Sequence, residues 1–145
     1  LSAYDSSEGT LFLLFAAILL AHRDSPKYFA LDNVDSALNP KVTRLLVERI
    51  VELTLKSSAG GLEVGPRQIF LTSHNPTSLD AIDLFDNNQR AFVVSRDEAG
   101  FTQIKRIKPK EGLTRTEWSL QTGGRNLSQM WLEGAIANIN GRDDF

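Results

Sequence analysis

Two polar residues that could carry chemistry stand at the ends of short apolar runs. Asp32 directly follows the run at 28–31, and His74 lies three residues after the run at 69–71. In α/β proteins a carboxylate at the C-terminal end of a buried strand is a common magnesium partner, and a histidine at the end of the next strand could reach a terminal phosphate. Taken singly, each has a simpler interpretation, because a strand-end Asp is more often a turn former and a loop histidine is usually solvated.

Two further segments have the residue types found where helices begin. Ser7 and Gly9 open an apolar helix, where a hydroxyl group, a glycine and free backbone amides would form a seat for an anion. Asn39 is a natural N-cap before Pro40, a residue that favours the first helical position. The simpler interpretations are an ordinary N-cap with an acidic first turn for the first segment and a well-capped strand-to-helix loop for the second.

The apolar pattern predicts the elements that position these residues. The stretch at 11–21 is about half as long as a bilayer span and is preceded by acidic residues, so we expect a buried core helix rather than a membrane or signal segment. The runs at 28–31, 69–71 and 91–94 predict strands. We expect the first of them to be buried on both faces, as in a parallel sheet.

One long helix and a C-terminal region complete this prediction. Apolar residues at three-and-four spacing indicate an amphipathic helix from Pro40 that gives way to a flexible loop at Ser57. Apolar residues on both sides of Gly100 indicate a hairpin, and one or two short helices should follow it. The candidate packing residues of these helices are Trp118, Leu120, Leu127, Met130, Trp131 and Leu132. The order of elements predicts an α/β layer covered by helices.

Composition limits the classes of function. The chain has 145 residues, enough for one domain with a real core, and its apolar share of 41% and charged share of 23% are typical of a soluble globular protein. The absence of cysteine excludes disulfides and thiolate metal sites, and the formal charge of −2 excludes a global attraction to nucleic acid. A local basic patch could touch a nucleic-acid backbone, although a solvated face is the simpler interpretation. It comprises Lys105, Arg106, Lys108 and Lys110.

In their order along the chain, the four polar segments resemble a known family. SSEGT before the apolar helix, YFALD, SALNP and TSHNP are similar to the C-terminal lobe of soluble ABC-type ATPases of the RecF/SMC, OLD-like and AAA_21-like kind. The resemblance covers residues 1–96 and implies an α/β P-loop NTPase fold of the ABC-ATPase type, with a helix-covered parallel sheet and antiparallel strands near the C-terminus. It implies that 1–145 is the C-terminal portion of a single ATPase domain, in which 97–145 form a hairpin and helices.

The resemblance also implies roles for individual residues toward ATP and Mg²⁺. Ser7 and Gly9 match the signature that caps the ATP bound by the opposite subunit. Asp32 matches the Walker B aspartate, which holds Mg²⁺ through water. His74 matches the switch histidine, which senses the γ-phosphate.

Two departures from the family pattern bear on activity. No phosphate-binding loop of the form G-x-x-x-x-G-K-[ST] is present, because the nearest match at 60–65 is followed by Pro66 and lacks the lysine. We therefore expect an upstream Walker A half to complete the ATP site. The second departure is Asn33, where most members have glutamate. An amide can orient water but cannot accept its proton, so hydrolysis would be slow or would rely on Asp35 or His74.

These features favour ATP binding and hydrolysis at a nucleotide-sandwich dimer interface. The D-loop residues Ser36 and Asn39 would communicate across the interface of a homodimer. The resemblance implies a cytoplasmic ATPase coupled to DNA or to a nuclease or other effector, in DNA repair or anti-phage defence, without a membrane partner. Two alternatives stay open: a catalytically weak or dead dimerisation or scaffold module in which Asn33 marks an inactive site, and an unrelated α/β domain whose motif matches arise by chance.

Overall fold

The computed structural model of the chain describes residues 7–136. The chain divides between Ala81 and Ile82 into two compact units. The N-terminal unit contains every residue to which the family resemblance assigns a role toward ATP or Mg²⁺. Ser6 of the SSEGT segment and the end of the predicted C-terminal helical region, 137–145, lie outside the described residues.

The N-terminal unit is a β–α–β arrangement with one helix in front. Its elements are helix α1 (Glu8–Ala21), strand β1 (Tyr28–Leu31), helix α2 (Pro40–Ser58), strand β2 (Gln68–Leu71) and a 3₁₀ helix (Pro76–Ala81). Strands β1 and β2 are parallel, with Tyr28 opposite Gln68 and Leu31 opposite Leu71. Both strands therefore end at the same edge of the sheet, which confirms the predicted parallel pair.

Helix α2 begins as the sequence predicts and ends slightly later. The Asn39 side-chain oxygen accepts a hydrogen bond from the Val42 backbone amide at 3.0 Å, so Asn39 is the N-cap. The predicted loop at Ser57 is wrong by a short stretch, since the helix continues through Ser58. The hydroxyl of Ser57 is buried and donates to the Gly65 carbonyl at 3.1 Å. This hydrogen bond connects the last turn of α2 to the loop that leads into β2.

Two predictions of burial in this unit are wrong. The helix at 11–21 is confirmed as part of α1, but Leu14 and Ile18 are 58% and 52% exposed, while Ala16 and Leu20 are buried. A helix that is apolar on all sides would need packing partners on all sides, and the main packing partner of α1 among the described elements is α2. Strand β1 is likewise covered on one face only, because Tyr28 is 65% exposed. Within residues 7–136 no helix is long and apolar enough to cross a membrane.

The C-terminal unit consists of a hairpin and two short helices. Its elements are β3 (Ala91–Arg96), β4 (Thr102–Ile107), α3 (Arg115–Thr122) and α4 (Leu127–Leu132). The antiparallel pairing of β3 with β4 confirms the predicted hairpin around Gly100. Met130 is buried, as are Ala91 and Ile107 in the hairpin. Leu120 and Leu132 are exposed, so their predicted packing roles are wrong: each lies on the outer side of a short helix with one covered face.

Candidate functional site

The polar residues after β1 and β2 are joined by backbone hydrogen bonds. The amide of Thr72, the first residue after β2, donates to the carbonyl of Leu31 at 3.1 Å. The carbonyl of Thr72 accepts from the amide of Val34 at 3.0 Å. Val34 is fully buried, so this bond anchors the loop after β1 in the core. The segment that carries Asp32 and Asn33 is therefore fixed to the end of the neighbouring strand.

The Thr72 side chain connects the two candidate catalytic residues of this segment. Its hydroxyl donates to Asp32 Oδ1 and accepts from the backbone amide of Asn33 at 2.9 Å. Sequence analysis did not single out Thr72. The available signal was its position, because a hydroxyl residue directly after β2 stands level with the residue directly after β1 in the parallel register.

Asn33 has an unusual backbone conformation. Its φ is 50°, which makes it the one non-glycine residue with positive φ among the described residues. Asn tolerates the left-handed region because its short polar side chain can hydrogen-bond locally, whereas longer side chains are disfavoured there. Asn33 is therefore a residue type that this backbone conformation tolerates.

His74 is positioned by Asp35. The backbone amide of His74 donates to Asp35 Oδ1 at 3.2 Å, which links the loop after β2 to the turn after β1. The imidazole-bearing residue itself is exposed. Asp35 thus holds the histidine loop through one of its carboxylate oxygens.

The loop that bears His74 is stabilised by its own side chains. Asn75 Oδ1 accepts from the Thr77 amide at 3.0 Å and from the Thr77 hydroxyl at 2.8 Å. The Thr77 hydroxyl also contacts the carbonyl of Pro40 at 3.3 Å, at the start of α2. This is the turn chemistry expected of Asn and Thr around a proline. It fixes the backbone on the C-terminal side of His74.

Ser7 and Gly9 have structural roles at the start of α1. Ser7 is the N-cap, and its hydroxyl oxygen accepts from the Thr10 amide at 3.2 Å, so the ordinary-cap interpretation is confirmed. Gly9 is buried, and a Cβ atom placed on it would lie 2.4 Å from the Ala37 carbonyl oxygen. A glycine is needed here because another part of the same unit approaches the helix too closely for any side chain. The contact joins the signature segment to the D-loop segment.

Ser36 and Asn39 flank that contact in the D-loop segment. The Ser36 amide donates to the Asn33 carbonyl at 3.0 Å, and the Ser36 side chain is exposed. Asn39 uses its side-chain oxygen to cap α2, which fixes the orientation of its side-chain amide. The unit thus brings Asp32, Asn33 and His74 together at the strand ends, and it places Gly9 against the adjoining loop.

The strand ends fit a magnesium ion only as part of a larger site. Among residues 7–136 no group of three or more His, Cys, Asp and Glu side chains could hold a metal. Asp32 is a single exposed carboxylate with one oxygen bonded to Thr72. Magnesium commonly uses one or two carboxylates together with phosphate oxygens and water, so a single carboxylate is compatible with a Mg²⁺–nucleotide complex. The remaining ligands would have to come from a nucleotide, from water and from other residues.

Comparison with known proteins identifies the family. No curated protein and no solved structure matches the chain. Residues 1–80 match the family model AAA_21, described as "AAA domain, putative AbiEii toxin, Type IV TA system". The match contains the signature, strand-end, D-loop and histidine segments, and AAA domains are nucleotide-dependent. Since it spans more than half of the chain, this protein belongs to the AAA_21 family.

Proposed function

We propose that the chain forms part of an ABC-type P-loop ATPase that binds and hydrolyses ATP with Mg²⁺ at a composite dimer interface. The observation that carries the proposal is the hydrogen-bonded arrangement of Asp32, Thr72 and Asn33 at the ends of two parallel strands. Ligands of α/β proteins bind at the C-terminal ends of their strands. A carboxylate that is oriented there by a hydroxyl can present its second oxygen to a cation or to a cation-bound water.

Each candidate residue has a definite role in this proposal. Asp32 holds a water molecule on Mg²⁺, and Asn33 orients the attacking water. His74 contacts the γ-phosphate from a loop whose backbone is fixed by Asp35. Ser7 and Gly9 face the nucleotide of the second subunit. There the free backbone amides at the start of α1 would contact the nucleotide.

The proposed partners are an upstream Walker A half and a second subunit. Exposed apolar residues on α1 and β1, including Leu14, Ile18 and Tyr28, support a tight apolar contact with further parts of the ATPase. Ser36 and Asn39 belong to the side of the D-loop that would face a homodimer partner. Coupling to DNA or to a nuclease effector, in repair or anti-phage defence, is the biological setting that this family of ATPases suggests.

Phosphate release from the completed ATPase tests the proposal. The chain is mixed with its Walker A half, and ATP hydrolysis is measured with and without Mg²⁺. Asp32→Ala should reduce Mg²⁺-dependent turnover by at least about 100-fold, because a charge that balances the metal is lost. Asp24→Ala is the matched control, since Asp24 is an exposed carboxylate with a surface ion pair to Arg23. Turnover that survives Asp32→Ala at the parental rate would make Asp32 a turn residue and overturn the proposal.

The alternative function is a dimerisation or scaffold module that binds nucleotide without turnover. The left-handed backbone of Asn33 favours it, because that conformation explains Asn33 without any role in catalysis. Size-exclusion chromatography of the completed ATPase in ATP, alongside phosphate release, separates the two functions. A nucleotide-dependent dimer without phosphate release supports the module, and a dimer that dissociates as phosphate is released supports the ATPase.

A further inference from the structure

We propose that Thr72 is the positioning residue of the strand-end site, because its hydroxyl fixes both the carboxylate of Asp32 and the backbone of Asn33. The inference rests on the function proposed above, since it assigns how the metal-facing carboxylate is oriented. Thr72 is not itself a ligand in this proposal. It acts through Asp32 and Asn33.

The first argument is the density of bonds that Thr72 makes to the loop after β1. Through its backbone amide, hydroxyl and carbonyl it reaches consecutive residues, namely Leu31, Asp32, Asn33 and Val34. The backbone bonds are independent of the side chain, so a substitution at Thr72 leaves them in place. Only the hydroxyl bonds to Asp32 and Asn33 would be lost, which makes the role of the hydroxyl separable from that of the strand.

The second argument is the direction of these bonds. A backbone amide can only donate, so the hydroxyl of Thr72 must accept from Asn33. Its single proton is then available for Asp32 Oδ1, which accepts it as a carboxylate. The Asn33 amide therefore aligns the hydroxyl, and the hydroxyl aligns the carboxylate. This chain of bonds runs in one direction, from the Asn33 amide through the Thr72 hydroxyl to the Asp32 carboxylate.

The third argument concerns what the carboxylate can still do. With Oδ1 bonded to Thr72, Oδ2 is the oxygen of Asp32 that is left to face a metal-bound water. A carboxylate fixed at one oxygen presents the other in a single orientation, which suits the strict octahedral geometry of magnesium. Without the hydroxyl, Asp32 would rotate about its last side-chain bond, and the left-handed turn at Asn33 would lose an anchor.

The sharpest test replaces the hydroxyl by a methyl group of similar size. Thr72→Val removes both side-chain bonds, whereas Thr72→Ser keeps them. Ser73→Ala is the matched control, because the neighbouring hydroxyl bonds to Asn75 within its own loop. Mn²⁺ affinity of the completed ATPase with a non-hydrolysable ATP analogue is measured by electron paramagnetic resonance. Exchange of the Asn33 amide proton is measured by NMR on this chain alone.

We expect Thr72→Val to weaken Mn²⁺ binding by about 10-fold or more, which is typical of losing a group that orients a metal ligand. The Asn33 amide should exchange faster in the same variant, while Thr72→Ser and Ser73→Ala should behave like the parent. If Thr72→Val keeps parental Mn²⁺ affinity and Asp32→Ala loses it, Thr72 has no positioning role and the proposed function stands. If the parent itself binds no Mn²⁺ with the nucleotide, the proposed function and this inference both fail.

Discussion

Two sites, one in each unit of the chain, hold their carboxylates with different donors. In the N-terminal unit, Asp32 and Asp35 accept hydrogen bonds from a hydroxyl and a backbone amide. In the C-terminal unit, Asp83 accepts two hydrogen bonds from the guanidinium of Arg115, at 2.9 and 2.7 Å. Arg115 also lies over the ring of Phe85, 5.0 Å from its centroid. Neutral donors orient a carboxylate and leave its charge, whereas a guanidinium orients it and neutralises the charge.

This difference indicates which acids can serve a cation. The Arg115 contact lowers the pKa of the Asp83 carboxyl, mainly through the side-chain hydrogen bond. A cavity of about 280 Å³ lies beside this ion pair and is lined in part by Trp118, which packs edge-on against Phe85 at 5.9 Å. The ion pair therefore has the character of a structural cross-link. At the strand ends of the other unit, Asp32 and Asp35 are held by donors that carry no formal charge.

The largest expected effect breaks the packing of the N-terminal unit at Gly9. Gly9→Ala would place a Cβ atom 2.4 Å from the Ala37 carbonyl oxygen, and a backbone obstacle cannot rotate away. We expect a loss of about 1–3 kcal/mol in the free energy of unfolding, the usual cost of overpacking. Urea unfolding followed by far-UV circular dichroism measures it.

The chain offers an internal control for this prediction. Its two tryptophans, Trp118 and Trp131, both belong to the C-terminal unit, so their fluorescence reports that unit. Gly61→Ala is the matched substitution, because a Cβ there meets only the Lys56 carbonyl at 3.2 Å. A Gly9→Ala variant as stable as Gly61→Ala would contradict the close approach of Ala37.

Substitutions of Asn33 should have a smaller effect on stability than Gly9→Ala. They also extend the comparison of the two units to their positive-φ positions. In the described C-terminal unit the positions with positive φ are glycines, such as Gly100 and Gly123, whereas the strand ends use Asn33. We expect Asn33→Gly to change stability by no more than a few tenths of a kcal/mol, and Asn33→Ala to cost about 1 kcal/mol. Urea unfolding of the three proteins side by side measures the difference. Equal stability of the Gly and Ala variants would contradict the left-handed conformation.

The same conformation alters the choice of a substitution that adds a base. Asn33→Glu carries a glutamate into the left-handed region at a cost, so a fall in activity would be ambiguous. Asn33→Asp keeps a residue that tolerates this region and supplies a carboxylate. Faster phosphate release by Asn33→Asp in the completed ATPase would show that the missing base limits turnover.

The sequence predicted the secondary-structure elements of the site more accurately than it predicted which of their faces are buried. Local sequence patterns predict the strands, the hairpin, and α2 with its Asn39 cap. Such patterns depend only on residues that are close together in the sequence. The burial of α1 could not be predicted in this way, because an apolar run has the same sequence whether one face or all faces are covered. The AAA_21 match confirms the family that the ordered motifs indicated.

Contacts between distant segments were the part that the sequence could not supply. The role of Thr72 depends on residues about forty positions earlier that become neighbours only through the parallel register. Gly9 resembles a ligand-binding glycine in sequence, yet the structure gives it a packing reason that rests on Ala37. In both cases the residue type was visible and its partner was not, because the partner lies many residues away along the chain.

The smallest expected effect is the pH dependence that Asp83 adds to the stability of the C-terminal unit. The pKa of Asp83 is lowered by Arg115, so its contribution to stability is present above the carboxyl's unfolded pKa, about 3.9, and is lost as pH falls through the lower folded value. Because Asp83 is 36% exposed, the contribution should be at most about 1 kcal/mol. Tryptophan-monitored urea unfolding from about pH 6 to pH 2 should show a larger loss of stability in the parent than in Asp83→Asn, since Asp86, Asp97 and Glu117 of the same unit also have lowered pKa values and titrate in both proteins. Asp24→Asn, which alters an exposed carboxylate of the other unit, should keep the parental pH dependence. If Asp83→Asn and the parent lose stability equally on acidification, the guanidinium of Arg115 does not stabilise the charged carboxylate of Asp83. The contrast between the Asp83 site and the strand ends would then rest on hydrogen-bond geometry alone.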